Sequence, residues 1–83
     1  MEFLLVRFEE SREVRVDGNP YGRTNIVLQV EAGEHRITLA PPRNFSPIEQ
    51  VVLLANTAAV DPCRLTFEKL PPAAVPVSPG SGV

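Results

Sequence analysis

Nine prolines are distributed along the 83 residues of the chain. A proline inside a helix removes a hydrogen bond and clashes with the preceding turn. No window of ten residues or more places apolar side chains at i, i+3, i+4 and i+7, the spacing of an amphipathic helix. Apolar residues recur at every second position instead. This alternation is typical of half-buried strands, so the sequence predicts an all-β fold.

Six or seven short strands are expected from the alternating segments. Phe3 to Phe8 and Glu13 to Asp17 predict a first hairpin, with the polar residues Glu9 to Arg12 as its loop. A second hairpin is predicted across Ala32-Gly33-Glu34, with two inward-facing rows: Ile26, Leu28 and Val30, then His35, Ile37 and Leu39. A final strand is expected within Cys63 to Lys69. Short strands linked by turns are typical of a small antiparallel β-sandwich.

Two segments are expected to form turns or loops. Asp17-Gly18-Asn19-Pro20-Tyr21-Gly22 carries the strongest turn signal, because its Asp-Gly step and second glycine tolerate positive φ angles. Ala40 to Pro47 contains three prolines, which cannot donate a hydrogen bond to a neighbouring strand. This second loop is long enough to cross between two sheets.

The segment Val51-Val52-Leu53-Leu54 is apolar at every position. Such a run predicts a strand that is covered on both faces or that lies at a subunit contact. A short helix over residues 48–55 is the alternative, because four apolar residues are too few to fix the period.

The folded domain is expected to span residues 1–70, and residues 71–83 to form a disordered, proline-rich tail. Beyond Leu70 the sequence has no large apolar residue and no periodicity. Such a segment cannot offset the entropy lost on ordering. Within it, Pro76-Val77-Ser78-Pro79 matches a loose PxxP pattern, although a linker or terminal tail is the simpler interpretation.

One stretch resembles a known family. The residues are Val14-Arg15-Val16-Asp17-Gly18-Asn19-Pro20-Tyr21-Gly22-Arg23-Thr24, followed by Val30-Glu31-Ala32-Gly33-Glu34-His35-Arg36-Ile37. Together they resemble the PEGA domain, and Asn44-Phe45-Ser46-Pro47 with Val51-Val52-Leu53 extend the resemblance. Asn25 and Asn44 depart from the family's usual proline and glycine. The resemblance implies a small β-sandwich module, often repeated or attached to larger envelope and regulatory proteins, without catalytic residues.

Composition excludes several classes of function. The formal net charge is −2 with acids and bases interspersed, so no basic face is expected to bind nucleic acid. The longest apolar run has five residues, whereas a membrane-spanning helix needs about 20. Glu2 stands where a secretion signal carries positive charge, and Cys63 is the single cysteine. A cytoplasmic location is therefore expected, with envelope attachment through a partner as an alternative.

Catalytic and metal chemistry have few candidate residues. His35 is the single histidine, and with Cys63 it falls short of the three or four ligands of a zinc site. A small hydrolase or metalloprotein around His35, Cys63 and Asp61 is the least favoured alternative. His35 is in phase with Ile37 and Leu39, which predicts a partly buried structural histidine. We expect neither an enzyme nor a cofactor.

Binding is the favoured function, through edge strands, loops or the apolar segment. The loop candidates combine aromatic, arginine and asparagine side chains, which suit recognition: Asn19, Tyr21, Arg23, Arg43, Asn44 and Phe45. The interface candidates are Val51, Val52, Leu53 and Leu54. A protein partner or self-association through an edge strand or the loops is expected. A carbohydrate- or cell-envelope-binding module, with Tyr21 and Phe45 as stacking rings, is the alternative.

Overall fold

A computed structural model describes residues 1–71, which form nine strands and contain no helix. The strands are β1 (Glu2–Arg7), β2 (Glu13–Val16), β3 (Asn19–Arg23), β4 (Val27–Val30), β5 (Gly33–Leu39), β6 (Phe45–Ser46), β7 (Gln50–Leu54), β8 (Cys63–Thr66) and β9 (Glu68–Lys69). The all-β prediction is confirmed. The predicted tail, apart from Pro71, lies outside the described residues.

The strands form three sheets that enclose one core. A three-stranded sheet has the order β4-β1-β8, a four-stranded sheet has the order β3-β2-β5-β7, and β6 pairs with β9. All pairings are antiparallel except that of β1 with β8, in which Leu4 lies beside Cys63 and Arg7 beside Thr66. The two larger sheets pack face to face, so β3 and β7 are the two edges of the four-stranded sheet.

The core is built from the inward-facing side chains of both larger sheets. Its buried members are Leu4, Val6, Phe8, Val14, Val16, Val30, Ile37, Leu39, Phe45, Leu54 and Phe67. Three of them form an aromatic group at one end, where Phe45 meets Phe8 and Phe67 edge to face with ring centroids 6.3 and 5.7 Å apart. Burial of each large side chain contributes about 1.5–3 kcal/mol relative to exposure.

Both hairpins predicted from the alternation are wrong in their pairing. β1 and β2 lie in different sheets, as do β4 and β5. β1 pairs with β4 and β8, while β5 pairs with β2 and β7. Period-two alternation indicates which side chains point inward, and that information is the same whether the next strand pairs or crosses to the opposite sheet.

The hairpin that does form joins β2 to β3 through Asp17 and Gly18. Both have positive φ angles, 53° and 87°, as a two-residue turn that matches the twist of its strands requires. The predicted turn is therefore shorter than its sequence signal, and Asn19 to Arg23 continue as an edge strand. Pro20 fits there because an edge strand has N–H groups that need no partner in the sheet.

The segment over residues 48–55 contains strand β7 and no helix. Val52 and Leu54 point toward the core, whereas Val51 and Leu53 are 56% and 71% exposed. Within residues 1–71 the strand is thus covered on one face and open on the other. Among residues 1–71 as a whole, no helix is long and apolar enough to cross a membrane.

Candidate interaction surfaces

The six loop residues predicted to bind do not form one patch. Asn19 and Arg23 stand at opposite ends of β3, and Tyr21 lies between them. Arg43 and Asn44 follow β5, at the end of the sheet where Ala40 bonds to Glu13. Asn19 lies at the other end, beside the Asp17 turn. A ligand would therefore have to span the length of the sheet to contact all six.

Two of the six residues serve the interior of the domain. Phe45 is 3% exposed and packs between the rings of Phe8 and Phe67. The Asn44 side-chain oxygen accepts a hydrogen bond from Arg12, and its backbone carbonyl accepts one from the N–H of Leu70. The ring of Phe45 is thus closed to ligands, and the amide of Asn44 holds the loop in place.

Arg12 organises this end of the domain, although the sequence pattern marks it as part of a polar loop. The residue is 8% exposed. Its guanidinium donates hydrogen bonds to the carbonyls of Ala40 and Pro42 at 3.0 and 2.9 Å. It also pairs with Glu10, which in turn bonds to Lys69 at 2.8 Å. A buried cation is tolerated only when its donors are satisfied. The full set of partners explains why this arginine can lie inside.

Tyr21 ties the β3 edge to the other sheet. The pairing of β2 with β3 shifts between Val14 and Arg15, so Tyr21 is an extra residue in a β-bulge. Its hydroxyl donates to the carbonyl of Gln29 in β4. The ring remains 41% exposed, but its polar end has a partner within the domain.

His35 links the Asp17 turn to the connection between β4 and β5. Its Nδ1 lies 2.7 Å from Asp17 Oδ2, and its Nε2 lies 2.7 Å from the carbonyl oxygen of Glu31. A carbonyl and a carboxylate both accept, so only the protonated imidazole, which donates from both nitrogens, satisfies the two contacts together. The hydrogen bond with Asp17, followed by that with Glu31, raises the pKa of His35. Neither nitrogen is left to act as a general base.

The partners of the His35 side chain are Asp17 and Glu31, and neither Cys63 nor Asp61 is among them. Burial raises the pKa of the Cys63 thiol, so the sulfur is held in its protonated, less nucleophilic form. Asp61 pairs with Arg64 at 3.3 Å. Among residues 1–71, no group of three or more His, Cys, Asp or Glu side chains could hold a metal ion.

The β7 edge has open backbone groups as well as exposed side chains. Arg36 in β5 turns both of its amide groups toward β2: its carbonyl accepts from Asp17 N–H at 2.8 Å, and its N–H donates to Asp17 Oδ1 at 2.9 Å. Successive residues of a strand direct these groups to opposite sides. His35 and Ile37 therefore bond to their partners in β7, Val52 and Gln50.

The same alternation fixes the other residues of β7. If Val52 and Gln50 face β5, then Val51 and Leu53 direct their N–H and C=O groups away from it, toward the edge of the sheet. No residue in the described part of the chain bonds to these four groups. The apolar run that predicted an interface is thus a strand in which Val51 and Leu53 have both exposed side chains and unpaired backbone groups.

One of the comparisons with known proteins identifies a family. No curated protein and no solved structure matches the chain significantly. The family model of the PEGA domain matches residues 9–68, which begin after β1 and include every strand from β2 to β8. The match covers more than half of the chain, and the resemblance carried by the Asp17 turn lies inside it. The chain therefore belongs to the PEGA domain family.

Proposed function

We propose that this protein is a non-enzymatic module that associates with protein through strand addition at the β7 edge. The observation that carries the proposal is the coincidence, at Val51 and Leu53, of exposed apolar side chains with unpaired backbone groups. In strand addition the backbone groups supply affinity, and the alternating side chains supply selectivity. β7 offers both over the same residues.

The composition of β7 supports the same reading. Natural proteins protect exposed edges with charges, proline or bulges, because an open edge recruits other strands. Gln50 to Leu54 contain no charge and no proline, and the pairing of β7 with β5 has no bulge. An edge left without these devices is suited to pairing with a further strand.

Competing functions have less support. A catalytic role for His35 and Cys63 has little support, since both nitrogens of His35 have acceptors and the thiol of Cys63 has a raised pKa. Glycan binding was expected to use two stacking rings, and Phe45 is buried. Tyr21 is the one ring of that pair left exposed.

Site-specific photo-crosslinking in cells that naturally contain the protein tests the proposal. A photoreactive amino acid would replace Leu53 in one variant and Val60, which is 90% exposed, in a matched control. Protein adducts are expected from position 53 well above those from position 60. Equal yields at the two positions, or none at position 53, would remove β7 as the docking edge.

A further inference from the structure

We propose that the strand added to β7 is β7 of a second copy, paired antiparallel about a two-fold axis at Val52. The inference rests on the proposed function, because both require an open β7 edge. A two-fold interface uses the same patch on both copies, so the patch must complement itself. The pattern of β7 meets that condition.

The backbone groups match in this register. An antiparallel pair centred on Val52 places Val51 of one copy opposite Leu53 of the other, and the reverse. Both residues direct their N–H and C=O groups toward the open edge, so each pair exchanges two hydrogen bonds. Four intermolecular bonds then satisfy all the open groups of Val51 and Leu53 in both copies.

The side chains match as well. Val51 and Leu53 of the two copies form one apolar cluster on the outer face of a continuous eight-stranded sheet. Their exposure in the single chain, 56% and 71%, is what such a cluster would cover. Apolar cross-strand pairs stabilise a sheet, and no directly opposed pair within this register carries like charges.

The flanking charges favour a second copy over an acidic peptide. On the outer face Arg36 lies beside Val51, and Glu34 lies beside Leu53. Arg36 is also paired with Glu49 at 3.3 Å, so two acids and one base surround the apolar pair and do not attract an acidic peptide. In the two-fold register each row runs from Arg36 through Val51 and then through Leu53 to Glu34 of the other copy, so each row ends in opposite charges. A basic peptide as the occupant would instead leave the chain monomeric in the sedimentation measurement below.

The interface is small. A pair of five-residue strands belongs at the low end of interface sizes, below about 1,200 Å² in total. We therefore expect a weak dimer with a Kd on the order of 0.1 mM. Sedimentation equilibrium of the full chain up to millimolar concentration is the first measurement, and a chain that stays monomeric there overturns self-pairing.

Charge variants test the register. Val51→Lys and Leu53→Glu each place a charge in the apolar cluster and are expected to weaken dimerisation at least about tenfold, a loss of about 1.4 kcal/mol. An equimolar mixture places the introduced lysine opposite the introduced glutamate, and is expected to restore the dimer to within about threefold of the unmodified chain. Ile26→Lys and Val60→Glu, on other exposed apolar residues, should change nothing.

Each other outcome has a definite meaning. If both variants lose the dimer and the mixture does not recover it, the proposed register is wrong. If neither variant weakens dimerisation, β7 is not the interface. A monomeric chain whose position 53 still crosslinks to another protein overturns self-pairing and leaves the proposed function standing. Amide NMR signals need no substitution: those of Val51 and Leu53 should shift with concentration of the unmodified chain, and that of Ile26 should not.

Discussion

The two edges of the four-stranded sheet differ in the proline, the bulge and the cross-sheet tie that protect an edge strand from further pairing. β3 contains Pro20, carries the bulge at Tyr21, and is tied to β4 by the tyrosine hydroxyl. β7 has neither proline nor charge nor bulge. Both edges belong to one sheet and have the same length, five residues. The difference therefore lies in the local sequence and backbone of the two strands, and not in their length or in the sheet to which they belong.

The two edges are also joined to the opposite sheet in different ways. On the β3 side, Tyr21 reaches Gln29 from the middle of the strand. On the β7 side, the Gln50 side chain donates to the carbonyl of Thr66 at 2.9 Å, from the first residue of the strand. This leaves the rest of β7 free of a cross-sheet tie. A few residues in each edge strand therefore decide whether that edge is protected from pairing, as at β3, or available for pairing, as at β7.

Moving proline from the closed edge to the open edge is the strongest test. Val52 donates its N–H to β5, so Val52→Pro should destabilise the fold by about 3 kcal/mol or more. Leu53→Pro removes an N–H that faces the open edge and should cost about 1 kcal/mol or less while abolishing dimerisation. Urea unfolding of both variants measures the difference. A larger loss for Leu53→Pro than for Val52→Pro would mean that Leu53, and not Val52, donates its N–H to β5.

Two threonine substitutions compare the side-chain hydrogen bonds that hold the chain near each edge. Thr24 follows β3, is 1% exposed, accepts from Arg12 N–H at 2.8 Å and donates to the carbonyl of Glu10 at 2.8 Å. Thr24→Val leaves the Arg12 N–H unpaired and the Glu10 carbonyl with only a long hydrogen bond from Asn25, 3.4 Å, and should cost about 2–3 kcal/mol. Thr38→Val is the control near β7, where one partly exposed hydroxyl bonds to Ile48, and should cost about 0.5 kcal/mol. A larger loss of unfolding free energy for Thr38→Val than for Thr24→Val would contradict this expectation.

Close packing along β3 gives a smaller effect. A Cβ at Gly22 would lie 2.6 Å from Leu28 Cδ2, so Gly22→Ala forces the leucine to move and should cost about 1 kcal/mol. The penalty should shrink in the Leu28→Ala background, since the clash is then absent. Thermal unfolding of the two single variants and the double variant measures the coupling. Strict additivity would show that Leu28 is not the obstacle.

The smallest effect concerns pH and the turn that starts β3. Asp17 raises the pKa of His35 above 6.5, so the stabilisation is complete below that value and lost as pH rises through the raised one. The Arg36 N–H, then His35, lowers the pKa of Asp17 below 3.8, so its contribution is lost as pH falls through the lowered value.

Unfolding by urea at a series of pH values checks the expectation for His35. The unmodified chain should lose stability as pH rises above 6.5, through the raised pKa of His35, and His35→Gln should remove most of that dependence. The effect is small because the Asp17 carboxylate is exposed. Dimerisation at β7 should not follow this titration, and a shared midpoint would show that the two edges are coupled.

Local patterns predicted the strands and the turn well. Alternation identified Val14 and Val16 as core residues, and the Asp-Gly step identified the β2–β3 connection, because both properties depend on a few neighbouring residues. Pairing depends on the whole chain. β1 and β2 alternate as the strands of a hairpin do, yet the chain crosses between the sheets from one to the other.

The candidate surfaces were harder to predict, since exposure is set by distant residues. Phe45 and Leu53 are both large apolar residues, and the fold buries one and exposes the other. Arg12 looks like a loop residue until the loop containing Ala40 and Pro42 supplies carbonyls to its guanidinium. The apolar run at β7 did mark an unusual segment. The hydrogen bonds between Arg36 and Asp17 indicate which residues of β7 leave their backbone groups unpaired. These bonds join residues that are distant in the sequence, so no local pattern predicts them.

The parallel pairing of β1 with β8 determines how residues 1–71 would respond to tension. Glu2 lies at one end of this pair, near Thr57. The chain leaves past the other end, where Phe67 N–H bonds to Arg7 and Leu70 N–H bonds to Asn44. Pulling on the two termini would therefore slide β1 along β8 and load their evenly spaced hydrogen bonds together. Such a domain resists in shear, so the strand that lies outside the family match would also bear the mechanical load.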